Sequence, residues 1–224
     1  MAQPDSGPVD EGRYSIDGAA IAGLAFAALY GAVQVILIRA PSLLGSSEEI
    51  ISWYADSGNR ASLLVAFNLA AFASIAFLWF VAVLRRRIGE REDQFLATVF
   101  LSSGILFVAL MLVGLGVHVA IPVVLGVTDA IPDAADIGIG GGVSNLILVV
   151  AMPRMQALFV ASTSTIGRKT GALPGWLTWI GYLFALVLLV APLLFEVPGL
   201  GFGFWVGLVS ATIVVRRRRM ELPA

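Results

Sequence analysis

The sequence predicts an all-α membrane protein, a polytopic bundle of six transmembrane helices with both termini in the cytoplasm. Of its 224 residues, 58% are hydrophobic and 13% are charged, and the mean hydropathy is +0.92. Soluble domains carry about 45–50% apolar and about 25% charged residues. The apolar residues suffice for six segments of roughly 20 residues, the length that crosses about 30 Å of hydrocarbon. We therefore expect a single membrane domain in the plasma (inner) membrane.

Six apolar stretches follow a polar start. Residues 1–18 contain two prolines, three glycines and no apolar period, so we expect a disordered, acidic cytoplasmic tail. The expected membrane domain comprises residues 19–219, and residues 220–224 form a second short cytoplasmic tail. The predicted spans lie at about 19–39, 62–84, 95–117, 143–166, 176–195 and 199–215.

The basic residues set the predicted orientation. Eleven of the fourteen Lys and Arg residues lie before span one, between spans two and three, between spans four and five, or after span six. Arg39 and Arg60 fall on the other side, and Arg154 lies inside span four. Because positively charged loops stay in the cytoplasm, both termini are expected there, and the alternation of loops favours an even number of spans.

The first outer loop carries the signature of a helix start. Ser46 followed by Glu49 fits a capping box, which predicts a short helix from Glu48 to about Asp56. Its apolar and aromatic residues are typical of a helix lying in the outer interface of the membrane. The alternative is a lid over a pocket on the outer side.

Small residues recur every four positions in two of the spans. They are Gly23, Ala27 and Gly31 in span one, and Gly199, Gly203, Gly207 and Ala211 in span six. Such faces let helix backbones approach closely in lipid. We expect them to pack within the chain, since six helices need internal contacts; packing between copies is the alternative.

Several segments together resemble a known group of proteins. They are EEIISWYADSGNR, FLWFVAVLRRR, GVSNLILVVAMP and, most specifically, TGALPGWLTWIG at residues 170–181, where a short turn joins spans four and five. Over about residues 45–219 the chain resembles a large group of uncharacterised actinobacterial multi-pass membrane proteins, classed as a domain of unknown function. The resemblance implies a six-span helical protein of the plasma membrane and carries over no catalytic residue. Proteins of this group often have an apolar residue where this chain has Arg154.

Arg154 is the most informative residue for function. It lies near the centre of span four, and exposing an arginine to lipid at that depth costs about 2.5–3.5 kcal/mol on insertion scales. We therefore expect the side chain to face the bundle interior or a wet cavity. Pro153 cannot donate a backbone hydrogen bond, so it frees a carbonyl one turn earlier that a kink could present to the arginine.

No Asp or Glu lies inside a predicted span at comparable depth, so the sequence offers Arg154 no acidic partner. The polar residues that could share a site with it are Gln34, Asn68, Asn145 and Gln156. At 100° per residue, Asn145 and Gln156 lie about 20° apart on span four, and Arg154 points about 180° away from Asn145. The two interpretations are a site for an anionic group and an arginine satisfied by amides, carbonyls and water.

Other kinds of site find little support. The chain has no cysteine and one histidine, which excludes disulfides, iron–sulfur clusters, thiolate metal sites and multi-histidine metal sites within one chain. His118 lies near a loop with Asp129, Asp133 and Asp136, but this spacing matches no calcium loop, and a solvated acidic loop is favoured. We predict no metal and no cofactor, and a net charge of −1 gives no reason to expect nucleic-acid binding.

The sequence therefore favours a non-enzymatic membrane protein, a binding or accessory protein with an intramembrane pocket around Arg154. The expected partner is an anionic lipid, a small anion or a carboxylate of another membrane subunit, and a homo-oligomer is a further alternative. The alternative is a small transporter or channel for an organic anion, which usually has an internal repeat. No convincing repeat relates residues 19–117 to 143–215, and no recognisable catalytic set is present.

Overall fold

The computed structural model describes residues 11–41, 46–88, 94–128, 134–190 and 200–221. Each regular element in these ranges is a helix, which confirms the all-α prediction for them. The elements are α1 (Glu11–Leu37), α2 (Ser47–Ala55), α3 (Ser57–Ile88), α4 (Gln94–Thr128), α5 (Ala134–Asn145), a π-helical segment (Leu146–Ala151, called the π segment below), α6 (Met152–Lys169), α7 (Gly175–Val190) and α8 (Leu200–Glu221).

Within the described residues, four helical stretches are long and apolar enough to cross a membrane. They are Ala20–Leu37, Ser57–Arg85, Gln94–Ala120 and Gly138–Lys169, the last of which includes the end of α5, the π segment and α6. Gly175–Val190 and Leu200–Val215 are also apolar but shorter. These lengths and compositions are those of a helical membrane protein.

Several helices extend beyond the apolar stretches that predicted them. α1 begins at Glu11, inside the expected tail, and α4 and α5 extend to Thr128 and from Ala134 into the expected outer loop. Hydropathy marks the apolar part of a helix, whereas backbone hydrogen bonds continue through polar and small residues. Residues 1–10, 191–199 and 222–224 lie outside the described residues, and so do Asp129, Asp133, Glu196 and Gly199.

The helices pack mainly as antiparallel neighbours. α1 packs on α3 and α8, α3 packs on α4, α4 packs on α6, and α6 packs on α7. The contacts fix the direction of each pair: for example, Phe77 of α3 meets Phe107 of α4, and Phe67, earlier in α3, lies beside Gly116, later in α4. α1, α4 and α7 therefore run one way, and α3, α6 and α8 run the other way.

Aromatic side chains fill the centre of the bundle. Six of them, each 0% exposed and drawn from five helices, form one cluster with ring centroids 4.8–6.2 Å apart: Phe26, Tyr30, Phe77, Phe107, Phe159 and Phe202. Offset and edge-on contacts of this kind are favourable beyond the area they bury. The middle of the bundle is thus a packed apolar core.

The predicted small-residue faces meet each other. Ala27 of α1 lies against Gly203 and Gly207 of α8, and Gly23 lies beside Ser210 of α8. This arrangement confirms the prediction of packing within the chain for Gly23, Ala27, Gly203 and Gly207. Gly31 differs, because a Cβ there would meet no atom within 4 Å.

α2 begins as the sequence predicts, since Ser46 Oγ accepts a hydrogen bond of 3.3 Å from the Glu49 backbone N–H. Its apolar face does not lie open. Ile50 and Tyr54 are buried against Leu63 of α3 and Val119 of α4. α2 therefore covers the end of the α3–α4 pair.

The turn between α6 and α7 follows the motif at residues 170–181. α6 ends at Lys169, and Gly171 has φ of +67°, a left-handed conformation that glycine adopts without strain. The Leu173 backbone N–H donates to the Gly167 carbonyl at 3.2 Å, and α7 begins at Gly175. This tight turn fixes α7 against α6.

Candidate functional site

Arg154 lies in the first turn of α6 and is half-buried. Its Nη1 donates a hydrogen bond to the Val150 carbonyl, four residues earlier in the π segment. A guanidinium carries five N–H donors and no acceptor. Among the residues that the structure describes, Val150 is its one hydrogen-bond partner, and none of them forms an ion pair with it.

The helix around Arg154 is irregular for a local reason. Pro153 occupies the second position of α6 and has no backbone N–H, and the six residues Leu146–Ala151 before it form a π helix. The Met152 N–H accordingly donates to the Ile147 carbonyl, five residues back. π segments are frequent at functional sites, and the Val150 carbonyl that accepts from Arg154 belongs to this one.

Arg154 does not face the aromatic core. At 100° per residue it lies about 40° from Leu158, which is 45% exposed, and about 200° from Gln156, which is 0% exposed. The side chain therefore starts on the outer, half-buried stripe of α6 rather than in the middle of the bundle. The expectation that it faces either the interior or a wet cavity stays a prediction.

The register of α6 and α7 places Arg154 at a level beyond Val190, the last described residue of α7. Thr165 Oγ1 and Tyr182 Oη are 3.0 Å apart, which sets these two residues at one level of an antiparallel pair. Val190, the last residue of α7, lies about 12 Å along the helix from that level, and Arg154 lies about 17 Å along it. Within the described residues, α7 thus stops short of Arg154.

Gln156 and Gln34 both lie beside the Tyr30 hydroxyl in the core. Gln156 Nε2 donates to the Tyr30 hydroxyl at 3.0 Å, and the Gln34 amide is a second hydrogen-bonding neighbour of that hydroxyl. Gln156 is 0% exposed and Gln34 is buried. These two residues form a polar link between α1 and α6 beside the aromatic cluster, on the side of α6 opposite Arg154.

The two asparagines lie elsewhere. Asn68 is exposed on α3, and its Nδ2 donates to the Leu64 carbonyl of the same helix at 2.9 Å. Asn145 is half-buried at the start of the π segment, which it does not cap with its side chain. Because a π turn holds more residues than an α turn, the 20° separation predicted for Asn145 and Gln156 does not hold across Leu146–Ala151. The structure thus joins Gln34 with Gln156 and leaves Arg154 and Asn68 apart from them.

Three buried polar atoms have no hydrogen-bond partner among the described residues: Gln156 Oε1, Ser164 Oγ and Trp205 Nε1. Two of them surround Gly181 of α7, where a Cβ would overlap Ser164 Oγ and lie 3.5 Å from Trp205 Nε1. Sequence reasoning did not find Ser164, Trp205 or Tyr30, because a single polar residue in an apolar helix has no pattern of its own. These residues lie inside the bundle only because of how each helix is rotated about its own axis.

His118 has a neighbour that the sequence did not indicate. It is buried, and its Nε2 lies 3.5 Å from the Tyr54 hydroxyl of α2. Burial raises the pKa of Tyr54 to about 12. The phenol is protonated at neutral pH and can donate to the imidazole. Among the described residues, no group of three His, Cys, Asp or Glu side chains could hold a metal ion.

The fold and this site define a class, an α-helical protein whose apolar helices have the length of membrane spans. No family model matches the sequence, and neither a curated protein nor a solved structure matches it.

Proposed function

We propose that this chain is a non-enzymatic, six-span protein of the plasma membrane that binds a partner membrane protein through Arg154. The partner would supply a carboxylate from one of its own transmembrane helices. One observation carries the proposal: a half-buried guanidinium, near the middle of Gly138–Lys169, whose one described hydrogen-bond partner is a carbonyl of its own helix.

The free energy of a membrane-embedded charge supports a partner. An arginine at the centre of a membrane helix costs about 2.5–3.5 kcal/mol on insertion scales, and such residues normally pair with an acid or line a cavity. One carbonyl satisfies one of five donors. A carboxylate in the same low-dielectric setting would accept two parallel hydrogen bonds and neutralise the charge.

The place of Arg154 in the bundle favours a partner over a transported substrate. The core between the helices is filled by the aromatic cluster, and Arg154 starts on the opposite side of α6 from Gln156. A transported anion needs a polar path through the bundle, whereas an added helix needs an open apolar surface beside the charge. Leu158, one turn after Arg154 on α6 and 45% exposed, belongs to such a surface.

The described apolar stretches of a second copy of this chain offer no acid. The apolar stretches Ala20–Leu37, Ser57–Arg85, Gln94–Ala120, Gly138–Lys169, Gly175–Val190 and Leu200–Val215 contain no Asp or Glu. Because an unpaired arginine gains little from another arginine, the proposed partner is a different protein with Asp or Glu in a transmembrane segment.

The proposal is tested by capturing the partner at the site. The chain is purified from its native membrane with a photo-crosslinking residue at position 158, and the crosslinked peptide is sequenced. We expect a transmembrane segment containing Asp or Glu, and we expect Arg154→Leu to abolish the crosslink while leaving the helical content and melting temperature unchanged. Replacing the partner's acid by its amide should have the same effect. Arg168→Gln, which changes an exposed arginine at the end of α6, is the matched control and should retain the crosslink.

Three outcomes would overturn the proposal. The first is an Arg154→Leu variant that keeps the crosslink at full yield. The second is native mass spectrometry that finds a small anion or a lipid, but no protein, on the wild type and not on Arg154→Leu. The third concerns Glu196, which follows α7 in the sequence: an equal loss of stability in Arg154→Leu and Glu196→Gln, without loss of a bound mass, would place the acid in the same chain.

A further inference from the structure

A groove on the outside of the bundle, between α3 and α4, is separate from Arg154. It has a volume of about 480 Å³, within the roughly 300–1,000 Å³ range of small-molecule sites. Its walls are Leu78, Val81, Ala82 and Arg85 of α3 and Leu101 and Ile105 of α4. Leu78 and Ile105 are 40% and 48% exposed, so the groove opens on the surface that faces lipid in a membrane.

The groove is apolar along its length and has one charged lining residue, Arg85, at one end. Arg85 is exposed and is the last residue of the apolar stretch Ser57–Arg85, which places it at the boundary of the hydrocarbon. Arg86 and Arg87 follow it directly in the sequence. The five other lining residues, all aliphatic, lie on the side of Arg85 that points toward the middle of the bilayer.

We propose that this groove binds an anionic glycerophospholipid, with one acyl chain between α3 and α4 and the phosphate on Arg85. Charge at the interface and aliphatic walls below it match the two parts of such a lipid. Anionic lipids are attracted to basic residues next to a membrane helix, at about 1 kcal/mol per Lys or Arg. Arginine binds phosphate through parallel hydrogen bonds. A zwitterionic headgroup also carries a phosphate, but its own positive charge weakens the attraction to arginine.

The size of the groove argues against a protein helix as the occupant. From Leu78 to Arg85 the groove extends about 10 Å along α3, and a helix about 10 Å wide would fill 480 Å³ with roughly one turn. An acyl chain is thinner and fits the groove lengthwise. The inference needs only that α3 crosses a membrane with Arg85 at its boundary, and it does not rest on the role proposed for Arg154.

The absence of cysteine from the sequence allows a direct test. The variant Ala82→Cys, labelled with a bimane fluorophore, is placed in phosphatidylcholine nanodiscs that contain a fixed fraction of lipid with brominated acyl chains. We expect brominated phosphatidylglycerol to quench the label several-fold more than brominated phosphatidylcholine. When Arg85→Gln is added, the two brominated lipids should quench the label equally. When Arg168→Gln is added instead, the stronger quenching by phosphatidylglycerol should remain.

A label away from the groove provides the second control. Leu183 of α7 is 63% exposed, and Leu183→Cys should show equal quenching by the two lipids. Equal quenching at position 82 with Arg85 present, a preference that survives Arg85→Gln, or the same preference at position 183 would each overturn the proposal. Loss of the preference on adding inorganic phosphate to the buffer would point to free phosphate and would also overturn it. Ile105→Phe, which narrows the groove and keeps Arg85, should reduce quenching by brominated phosphatidylglycerol.

Discussion

Arg154 and Gln156 are two residues apart in the sequence and occupy opposite environments. Gln156 is fully buried and bonded to Tyr30, whereas Arg154 is half-buried and bonded to its own helix. Both residues are polar and lie in one apolar segment, so hydropathy does not distinguish the buried position from the half-buried one. The difference comes from 200° of helix rotation, which turns one toward the core and the other away from it.

The hydrogen bond between Tyr30 and Gln156 gives a prediction at the residue scale. Tyr30→Phe leaves the buried Gln156 Nε2 without its acceptor, and we expect a loss of about 1–3 kcal/mol in the free energy of unfolding. Tyr182→Phe removes a hydroxyl that pairs with Thr165 at a half-buried position and should cost less. The measurement is unfolding in detergent by denaturant, followed by circular dichroism.

A double variant separates the hydrogen bond from packing. Gln156→Leu removes both the donor and an oxygen that has no described partner, so Tyr30→Phe with Gln156→Leu should be more stable than Tyr30→Phe alone. Equal stabilities of Tyr30→Phe and Tyr182→Phe would contradict the assigned role of the buried pair.

At the scale of elements, the α1–α8 contact shows what small residues contribute. In lipid, helices gain little from burying apolar side chains, so association depends on close packing and hydrogen bonds. Gly23 and Ala27 on α1 let Ser210, Gly203 and Gly207 of α8 approach their backbone. The four-residue spacing predicted these faces, but it did not tell which glycines make the contact.

Gly23 and Gly31 form a matched pair for the second prediction. A Cβ at Gly23 would overlap Ser210 Oγ and lie 2.9 Å from Phe80 Cδ2, so Gly23→Ala should destabilise the bundle by about 1–3 kcal/mol. Gly31→Ala meets nothing within 4 Å and should be neutral or slightly stabilising, because alanine favours the helix. Melting temperatures in detergent give the comparison.

The overlap at Gly23 can be relieved from the other side. Ser210→Ala removes the hydroxyl that the new methyl group would meet, so it should restore part of the stability lost in Gly23→Ala. If Gly31→Ala is the more damaging of the two single variants, the described α1–α8 contact is wrong.

At the scale of the whole molecule, six helical segments of alternating direction fit six passes through a membrane. Four of the described stretches have the length of a full span, and the apolar parts of α7 and α8 are 16 residues each, about 24 Å of helix. The six-span topology with cytoplasmic termini stays our prediction.

Impermeant thiol labelling of intact cells tests this topology. Ala55 and Lys169 are exposed residues at opposite ends of the bundle, and the natural sequence contributes no cysteine background. Ala55→Cys should react from outside, and Lys169→Cys should react only after the membrane is opened, because the arginine-rich loops hold that end in the cytoplasm. The reverse pattern would invert the topology, and reaction of both from outside would contradict the three crossings predicted between these two positions.

The amino-acid sequence by itself determined that this chain is helical, that its helices are apolar at membrane length, and where α2 and the α6–α7 turn begin. These properties depend on neighbours within a few residues: on hydropathy over one span, on a serine cap and on a left-handed glycine. They can therefore be predicted without knowing the fold.

The tertiary structure alone decided which polar groups meet. Tyr30 and Gln156 are 126 residues apart, and Tyr54 and His118 are 64 apart, yet each pair lies within 3.5 Å. The position of Arg154 on the outer stripe of α6 and the groove beside Arg85 likewise depend on how each helix is rotated against its neighbours. That rotation is set by packing across the whole bundle, to which many distant residues contribute at once.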